Sequence, residues 1–144
     1  MIEVIVHNAH HSRRVAKRGV QQMVRGVLLR ERRRAASVSV VFTDDRLSRR
    51  INRTYFRHDR PTDVMSFPLE VGAIEGEVYV NLDKAARQAR TYGVSLANET
   101  ARLVIHGTLH LLGYDDIRAN AAARMKRRED FYVGLLAGND ATGR

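Results

Sequence analysis

The feature that most constrains how this chain folds is segment 96–113, an apolar stretch that stops at Gly113. Its apolar residues recur at helical spacing, and Ser95 is of a type that caps helix N-termini. His106 and His110 stand four positions apart near its end. Four helical residues turn about 400° and rise about 6 Å, so both imidazoles leave the same face. The segment therefore predicts a central helix with two adjacent histidines, ended by glycine.

Two carboxylates follow that glycine, at Asp115 and Asp116. The chain can fold back there and bring a carboxylate towards the imidazoles. Two histidines, a carboxylate and water are typical ligands of a catalytic zinc site. A half-buried histidine pair without a metal is the alternative, and we favour the metal site. The related peptidase motif has a glutamate base directly after the first histidine, but Gly107 stands there, which argues against a peptidase.

Charge and composition narrow the class of protein. The chain has 144 residues, which suits one domain with one core, and it has no cysteine, so any metal ligands are nitrogen or oxygen. Its net charge of +9 favours a polyanionic partner such as nucleic acid, although an arginine-rich solvated surface is equally consistent. The absence of a long apolar run or a signal-peptide pattern predicts no membrane span and a cytoplasmic location.

Hydrophobic periodicity predicts the order β-α-β-α-β-β-α-α-α. The predicted strands are 1–6, 37–42, 63–68 and 76–81, and the predicted helices are 13–33, 43–55, 83–92, 95–111 and 118–137. This order indicates an α+β fold: a single domain over 1–144 with a small four-stranded mixed sheet packed against about five helices. The third and fourth strands should form a hairpin with a turn at 70–75. Residues 138–144 are expected to be a flexible tail.

Finer features of these elements are also predicted. Ser12 and Asp83 are the expected N-caps of the first and third helices, and Pro68 should end a strand or lie at an edge. The loop histidines at 7, 10 and 11 match no metal-ligand spacing known to us, so a structural role is favoured there. Expected core contacts are Leu47 and Ile51 in the second helix and Ala122, Met125, Phe131 and Leu135 in the last.

Segment 106–116 resembles the signature of the YbeY family, which reads His-Gly-x-Leu-His-Leu-x-Gly-Tyr-Asp-His. Members are bacterial metal-dependent endoribonucleases that act in ribosomal RNA maturation. Further similarity covers most of residues 37–135. It lies in Asn52–Tyr55, in Asp59–Pro68, in Gly76-Glu77-Val78 and at Met125 and Glu129.

The resemblance implies hydrolysis of single-stranded RNA with one Zn²⁺ per chain, bound on a zincin-like helix. It also implies a role in 3′-end processing of small-subunit ribosomal RNA and in ribosome quality control, with ribosomal RNA and the small subunit as partners. Either a metal-activated water or the RNA 2′-OH could be the nucleophile. Two alternatives stay open: a non-catalytic, metal-stabilised ribosome-binding assembly factor, and a metal hydrolase with a substrate other than RNA.

The chain departs from the signature at the third histidine, which is Asp116 here. The predicted metal ligands are therefore His106, His110 and Asp116. An oxygen ligand widens the choice of metal to manganese and other divalent ions. Asp115 is expected to shape the turn or to support a ligand from behind. Glu77 is a candidate general base, with an exposed strand carboxylate as the alternative.

A second departure concerns an arginine. The family places arginine directly after the tyrosine that corresponds to Tyr55, and this chain has Phe56 there. Arg57 and Arg60 are the nearest replacements and are candidates for catalysis and RNA binding, since a guanidinium suits a phosphoryl group. Ordinary surface arginines are an equally good interpretation. Arg32 and Arg33, after the first helix, are further candidates for RNA binding.

Overall fold

Four strands form one mixed sheet in the order β1-β2-β4-β3 in the computed structural model, which describes residues 1–70 and 73–137. The strands are β1 (Ile2–Asn8), β2 (Ala36–Thr43), β3 (Val64–Pro68) and β4 (Ile74–Asn81). The helices are α1 (Lys17–Arg30), α2 (Asp45–Phe56), α3 (Leu82–Tyr92), α4 (Leu96–Leu111) and α5 (Ala119–Leu136). The predicted α+β fold and element order are confirmed. The tail at 138–144 and positions 71–72 of the turn lie outside the described residues.

The sheet is parallel except at one edge. β2 runs parallel to both β1 and β4, whereas β3 pairs antiparallel with β4, which confirms the hairpin. Pro68 ends β3 at that edge, as predicted, where a missing N–H is tolerated. β4 begins at Ile74, two residues earlier than predicted, because its pairing with β2 extends to Ala36.

One face of the sheet carries the main core. Its buried residues come from the strands and from α1, α3 and α4, and include Val4, Val38, Val40, Phe42, Val78, Val80, Val24, Leu28, Leu82, Ala85 and Val104. A second cluster joins α1, α4 and α5 and consists of Val27, Ile105, Leu109, Met125, Tyr132 and Val133. Helix α4 contributes to both clusters, and the paired histidines lie on it.

Helix α4 touches the sheet with almost no side chain between them. A Cβ atom at Gly107 would lie 2.4 Å from Val78 Cγ1, so only glycine allows this approach. The Ser66 hydroxyl of β3 donates to the Gly107 carbonyl at 2.9 Å. There is consequently no room for the peptidase glutamate at this position, and the neighbouring His106 and His110 are fixed relative to β3.

Two predicted N-caps are wrong. Helix α1 begins at Lys17, since the backbone N–H groups of Ser12 and Arg13 donate to His10 Nδ1 at 3.2 and 3.0 Å and hold the preceding segment as a loop. Asn81 caps α3. Asp83 instead faces His10, whose Nε2 lies 2.8 Å from its carboxylate. Because both His10 nitrogens have protein partners, this histidine has the structural role that its spacing indicated.

Helices α2 and α5 bury other residues than predicted. In α2, Leu47 and Ile51 are half-buried, and the buried positions are polar: Ser48 bonds to Thr62 and Asn52 to the Arg60 carbonyl.

In α5, Met125 is buried as predicted and Ala122 is half-buried, whereas Phe131 and Leu135 are 49% and 43% exposed. The inward stripe of α5 is Met125, Glu129, Tyr132 and Val133, so Tyr132 and Val133 take the buried positions predicted for Phe131 and Leu135. Within 1–70 and 73–137, no helix has the length and apolarity to cross a membrane.

Candidate metal centre

The structure brings the three predicted metal ligands together at the end of α4. His106 and His110 have ring centroids 4.7 Å apart. Gly113 turns the chain with φ of 99°, and Asp116 Oδ2 then lies 3.6 Å from Nε2 of each histidine. One ligand atom from each residue lies within 4.8 Å of the other two.

The two distances of 3.6 Å to Asp116 fit a divalent ion. Zinc binds nitrogen and oxygen at about 2.0–2.2 Å, so two ligands of a tetrahedral ion lie about 3.4 Å apart. Both histidines are half-buried and Asp116 is exposed, which leaves the group accessible to water and substrate. In the part of the chain that the structure describes, no other cluster of three such side chains has metal-ligand spacing. The group could therefore hold a metal with three protein ligands and a side open to solvent.

Glu129 of α5 supports this group, a contact that sequence reasoning missed. Its Oε1 accepts from His106 Nδ1 at 2.7 Å. A carboxylate can only accept, so the proton belongs on Nδ1 and the lone pair of Nε2 points towards Asp116. Arg102 Nη1 donates to the other carboxylate oxygen at 2.7 Å. Histidines that ligate metals are commonly held by a carboxylate in this way.

The electrostatics of this pair are consistent with an ionised Glu129. Burial raises the pKa of the Glu129 carboxyl, but hydrogen bonds from His106 and Arg102 outweigh it and hold that pKa below its ordinary value. Burial lowers the pKa of the His106 imidazole. The hydrogen bond to Glu129 and the negative charges of Glu129, Asp116 and Asp63 raise that pKa by more, so the net pKa lies above the ordinary value. Beyond the family resemblance at Glu129, the signal in the sequence was a glutamate in the apolar stripe of α5, where a buried charge needs a partner.

A second carboxylate anchors the loop that carries Asp116. The Tyr114 hydroxyl donates to Glu31 at 2.8 Å, and Glu31 also accepts from Arg128 and Tyr132 of α5. Burial raises the pKa of Glu31, but the hydrogen bonds from Tyr132, Arg128 and Tyr114 outweigh this effect, so the net pKa falls below the ordinary value. Asp115 accepts from the Ile117 N–H at 2.7 Å and so shapes the turn before α5.

The candidate arginines lie on the surface. Arg57 is the C-cap of α2 and has a left-handed backbone with φ of 60°. The Arg60 backbone carbonyl accepts a hydrogen bond from the Asn52 side chain. Arg32 and Arg33 follow α1 and are exposed. In the described ranges, none of these four arginines is hydrogen-bonded or ion-paired to the three candidate ligands.

Glu77 is placed unfavourably for a general base at this site. Its neighbour Val78 faces α4, and side chains alternate along a strand, so Glu77 points to the opposite face of the sheet. There its carboxylate accepts from the Tyr79 hydroxyl at 3.1 Å.

Comparisons with known proteins agree with this architecture. The family model described as endoribonuclease YbeY matches residues 5–136. The endoribonuclease YbeY of Chlorobium luteolum is 42% identical over 120 residues, which are 83% of this chain and 85% of the relative. The endoribonuclease YbeY of Salinibacter ruber is 36% identical over 141 residues, which cover 91% of this chain and 90% of that relative. The solution structure of TM1509 from Thermotoga maritima has a TM-score of 0.72 at 25% identity, covering 94% of this chain and 89% of that one. The chain therefore belongs to the endoribonuclease YbeY family.

Proposed function

We propose that this protein is a zinc-dependent endoribonuclease, a hydrolase that cuts single-stranded ribosomal RNA during maturation of the small ribosomal subunit in the cytoplasm. The observation that carries the proposal is the convergence of His106, His110 and Asp116 within 4.8 Å, in a member of an endoribonuclease family. Residues 1–144 would act as one catalytic domain, and ribosome quality control is part of the same proposed role.

The roles of the residues follow from their geometry. His106 and His110 would hold the metal through Nε2 and Asp116 through Oδ2, and Glu129 keeps His106 in the required tautomer. The bound metal would supply Lewis acidity towards a phosphoryl oxygen and lower the pKa of a bound water. The exposed Arg57 and Arg60, which follow α2, would bind the RNA backbone, with Arg32 and Arg33 after α1 as further contacts. The net charge of +9 supports a polyanionic substrate.

Cleavage of a ribosomal RNA fragment tests the activity. Zinc-loaded protein and its variants His110→Ala and His7→Ala are compared, the last being a control because His7 is an exposed histidine of β1. We expect wild type and the control to cut equally and His110→Ala to lose at least about 100-fold in rate, as expected when metal catalysis is removed. Equal cutting by His110→Ala would indicate a contaminating nuclease. RNA binding without cutting by wild type would favour a non-catalytic assembly factor.

Metal content tests the proposed ligand that departs from the family signature. Asp116→Ala should weaken zinc binding at least about tenfold, because one of three protein ligands is lost. Asp59→Ala serves as the control, since Asp59 pairs with Arg49 on α2. Competition with a chromophoric chelator measures both affinities. An Asp116→Ala variant with wild-type zinc affinity would exclude Asp116 as a ligand.

A further inference from the structure

We propose that Tyr55, Phe56 and Phe67, here named the aromatic patch, bind an unpaired nucleobase of the RNA beside the candidate metal centre. The inference rests on the proposed function for the identity of the ligand. It assigns a binding role to Phe56, the last residue of α2.

The aromatic patch is ordered by ring contacts yet open to solvent. Phe67 of β3 is its centre: Phe56 stacks against it with centroids 5.4 Å apart and planes 27° apart, and Tyr55 meets it edge-on at 5.3 Å. Tyr79 supports Phe67 from β4 at 5.6 Å. Tyr55 and Phe56 are nevertheless 67% and 44% exposed. Rings that neighbouring rings hold in place on one side and that expose their other side to solvent are suited to stacking on a base.

The aromatic patch reaches the candidate metal centre through Phe56, because Phe67 pairs with Glu77 and points with it to the face of the sheet opposite α4. Phe56 and His110 line the same cavity of about 400 Å³, which follows the edge strand β3 past Met65, Ser66 and Pro68. A cavity of this size can hold a ligand of small-molecule dimensions. A base stacked on Phe56 would therefore lie in the same cavity as the His110 imidazole.

Helix α2 also supplies positive charge for the RNA backbone. Arg46, Arg49, Arg50 and Arg53 recur at helical spacing on one face and line a second cavity. Asp59 pairs with Arg49 at 2.7 Å and with Arg53 at 3.6 Å. Among residues 1–70 and 73–137, no carboxylate forms an ion pair with Arg46 or Arg50. Stacking rings beside a cationic groove are how proteins bind single-stranded nucleic acid.

This combination favours a single strand over a duplex or a protein. Bases in a duplex are stacked on each other and cannot offer a face to Phe56, whereas bases in loops and ends can. A protein surface would gain from contact with the rings, but it would gain from the four arginines of this helix face only if it were strongly acidic.

Fluorescence of a 2-aminopurine-labelled single-stranded RNA tests the proposal, because stacking on a ring changes the emission of that base. The measurements use the His110→Ala background, so that binding is observed without cleavage. We expect Phe56→Ala to weaken binding about tenfold and to abolish the fluorescence change, as for loss of one stacked base. Phe56→Leu should behave like Phe56→Ala, since it keeps an apolar contact with Phe67 but no ring, and Phe56→Trp should retain binding.

Phe131→Ala is the matched control, because Phe131 is a 49% exposed phenylalanine on α5 and lines neither of these two cavities. It should bind like the parent protein, and thermal melting confirms that each variant folds. Unchanged binding and fluorescence in Phe56→Ala would overturn the proposal even if the wild-type protein cleaves RNA. Phe56-dependent binding without cleavage by wild type would uphold the patch and reject the nuclease activity. If the parent protein leaves the 2-aminopurine signal unchanged, the patch does not bind bases, and an acidic protein becomes the candidate ligand.

Discussion

At the scale of single residues, the convergence of His106, His110 and Asp116 could be predicted, whereas the contacts that support these side chains could not. His106, His110 and Asp116 lie within eleven positions of one another, and helical spacing with a glycine turn fixes their relation locally. Glu129 reaches His106 across 23 positions, and Glu31 reaches Tyr114 across 83. Such contacts depend on how α5 and α1 pack against α4, which periodicity does not determine.

Glu129→Gln tests that support at the residue scale. The amide keeps the shape of the side chain but removes the charge that favours the Nδ1–H tautomer of His106. We expect zinc affinity to fall about 10- to 100-fold, as is typical when the partner of a metal-ligating histidine is changed. Asp130→Asn is the matched control, because Asp130 shares Arg102 with Glu129, and no hydrogen bond joins it to His106 in the described structure. Chelator competition measures both variants, and equal affinities in the two would show that Glu129 does not position the ligand.

At the scale of elements, the type and order of helices and strands could be predicted, whereas their ends and inward faces were less accurate. The β-branched alternation and helical spacing are local signals, so the nine elements within residues 1–70 and 73–137 were all predicted. The predicted start of α1 was wrong because the backbone N–H groups of Ser12 and Arg13 donate to the His10 ring. The predicted N-cap of α3 was wrong because the Asp83 carboxylate pairs with His10 instead of with the start of the helix. In the first case a local side-chain contact replaces the expected cap, and in the second a tertiary contact between positions 10 and 83 does so.

The contact between α4 and the sheet gives a prediction at the element scale. A methyl group at position 107 would lie 2.4 Å from Val78 Cγ1 and 3.1 Å from Val64 Cγ2, so Gly107→Ala must push the helix outward. We expect a loss of about 1–3 kcal/mol in unfolding free energy, the usual cost of overpacking, and weaker zinc binding because both histidines move. Urea denaturation measures the first quantity.

Gly134→Ala in α5 is the control for this change. A Cβ atom there meets nothing within 4 Å, so alanine should be neutral or stabilising by up to about 1 kcal/mol in a helix. If Gly107→Ala were as stable as Gly134→Ala, the close approach of α4 to β4 would not be a constraint on this fold.

At the scale of the whole molecule, Glu31 links three parts of the chain: it follows α1 and binds both Tyr114 and α5. Its pKa lies below the ordinary value of 4.5 in the folded protein, so its ionised form stabilises the fold above that pH. The contribution is lost as the pH falls through the lowered pKa. Glu31→Gln should therefore be less stable than wild type at pH 7, with a difference that shrinks below about pH 4.5. Urea unfolding across pH 3–7 measures it, and a difference independent of pH would contradict the ionised network.

The net charge of +9 gives a prediction for RNA binding by the whole molecule. Affinity for single-stranded RNA should fall linearly with the logarithm of salt concentration, with a slope of about −0.7 for each phosphate contact. The placement of the charge matters as well as its sum. Arg50→Gln on α2 removes a cation from the groove beside the aromatic patch, whereas Arg90→Gln on α3 removes an exposed cation outside it.

These two variants have the same net charge, so a difference between them reports position. We expect Arg50→Gln to flatten the salt dependence by about 0.7 and Arg90→Gln to leave the slope unchanged, as measured by fluorescence anisotropy at several salt concentrations. Equal slopes in the two variants would mean that the overall positive potential of the protein binds the RNA and that α2 is not its specific binding surface. A flatter slope in Arg50→Gln alone would place the backbone of the RNA along the helix whose last residue, Phe56, borders the candidate metal centre.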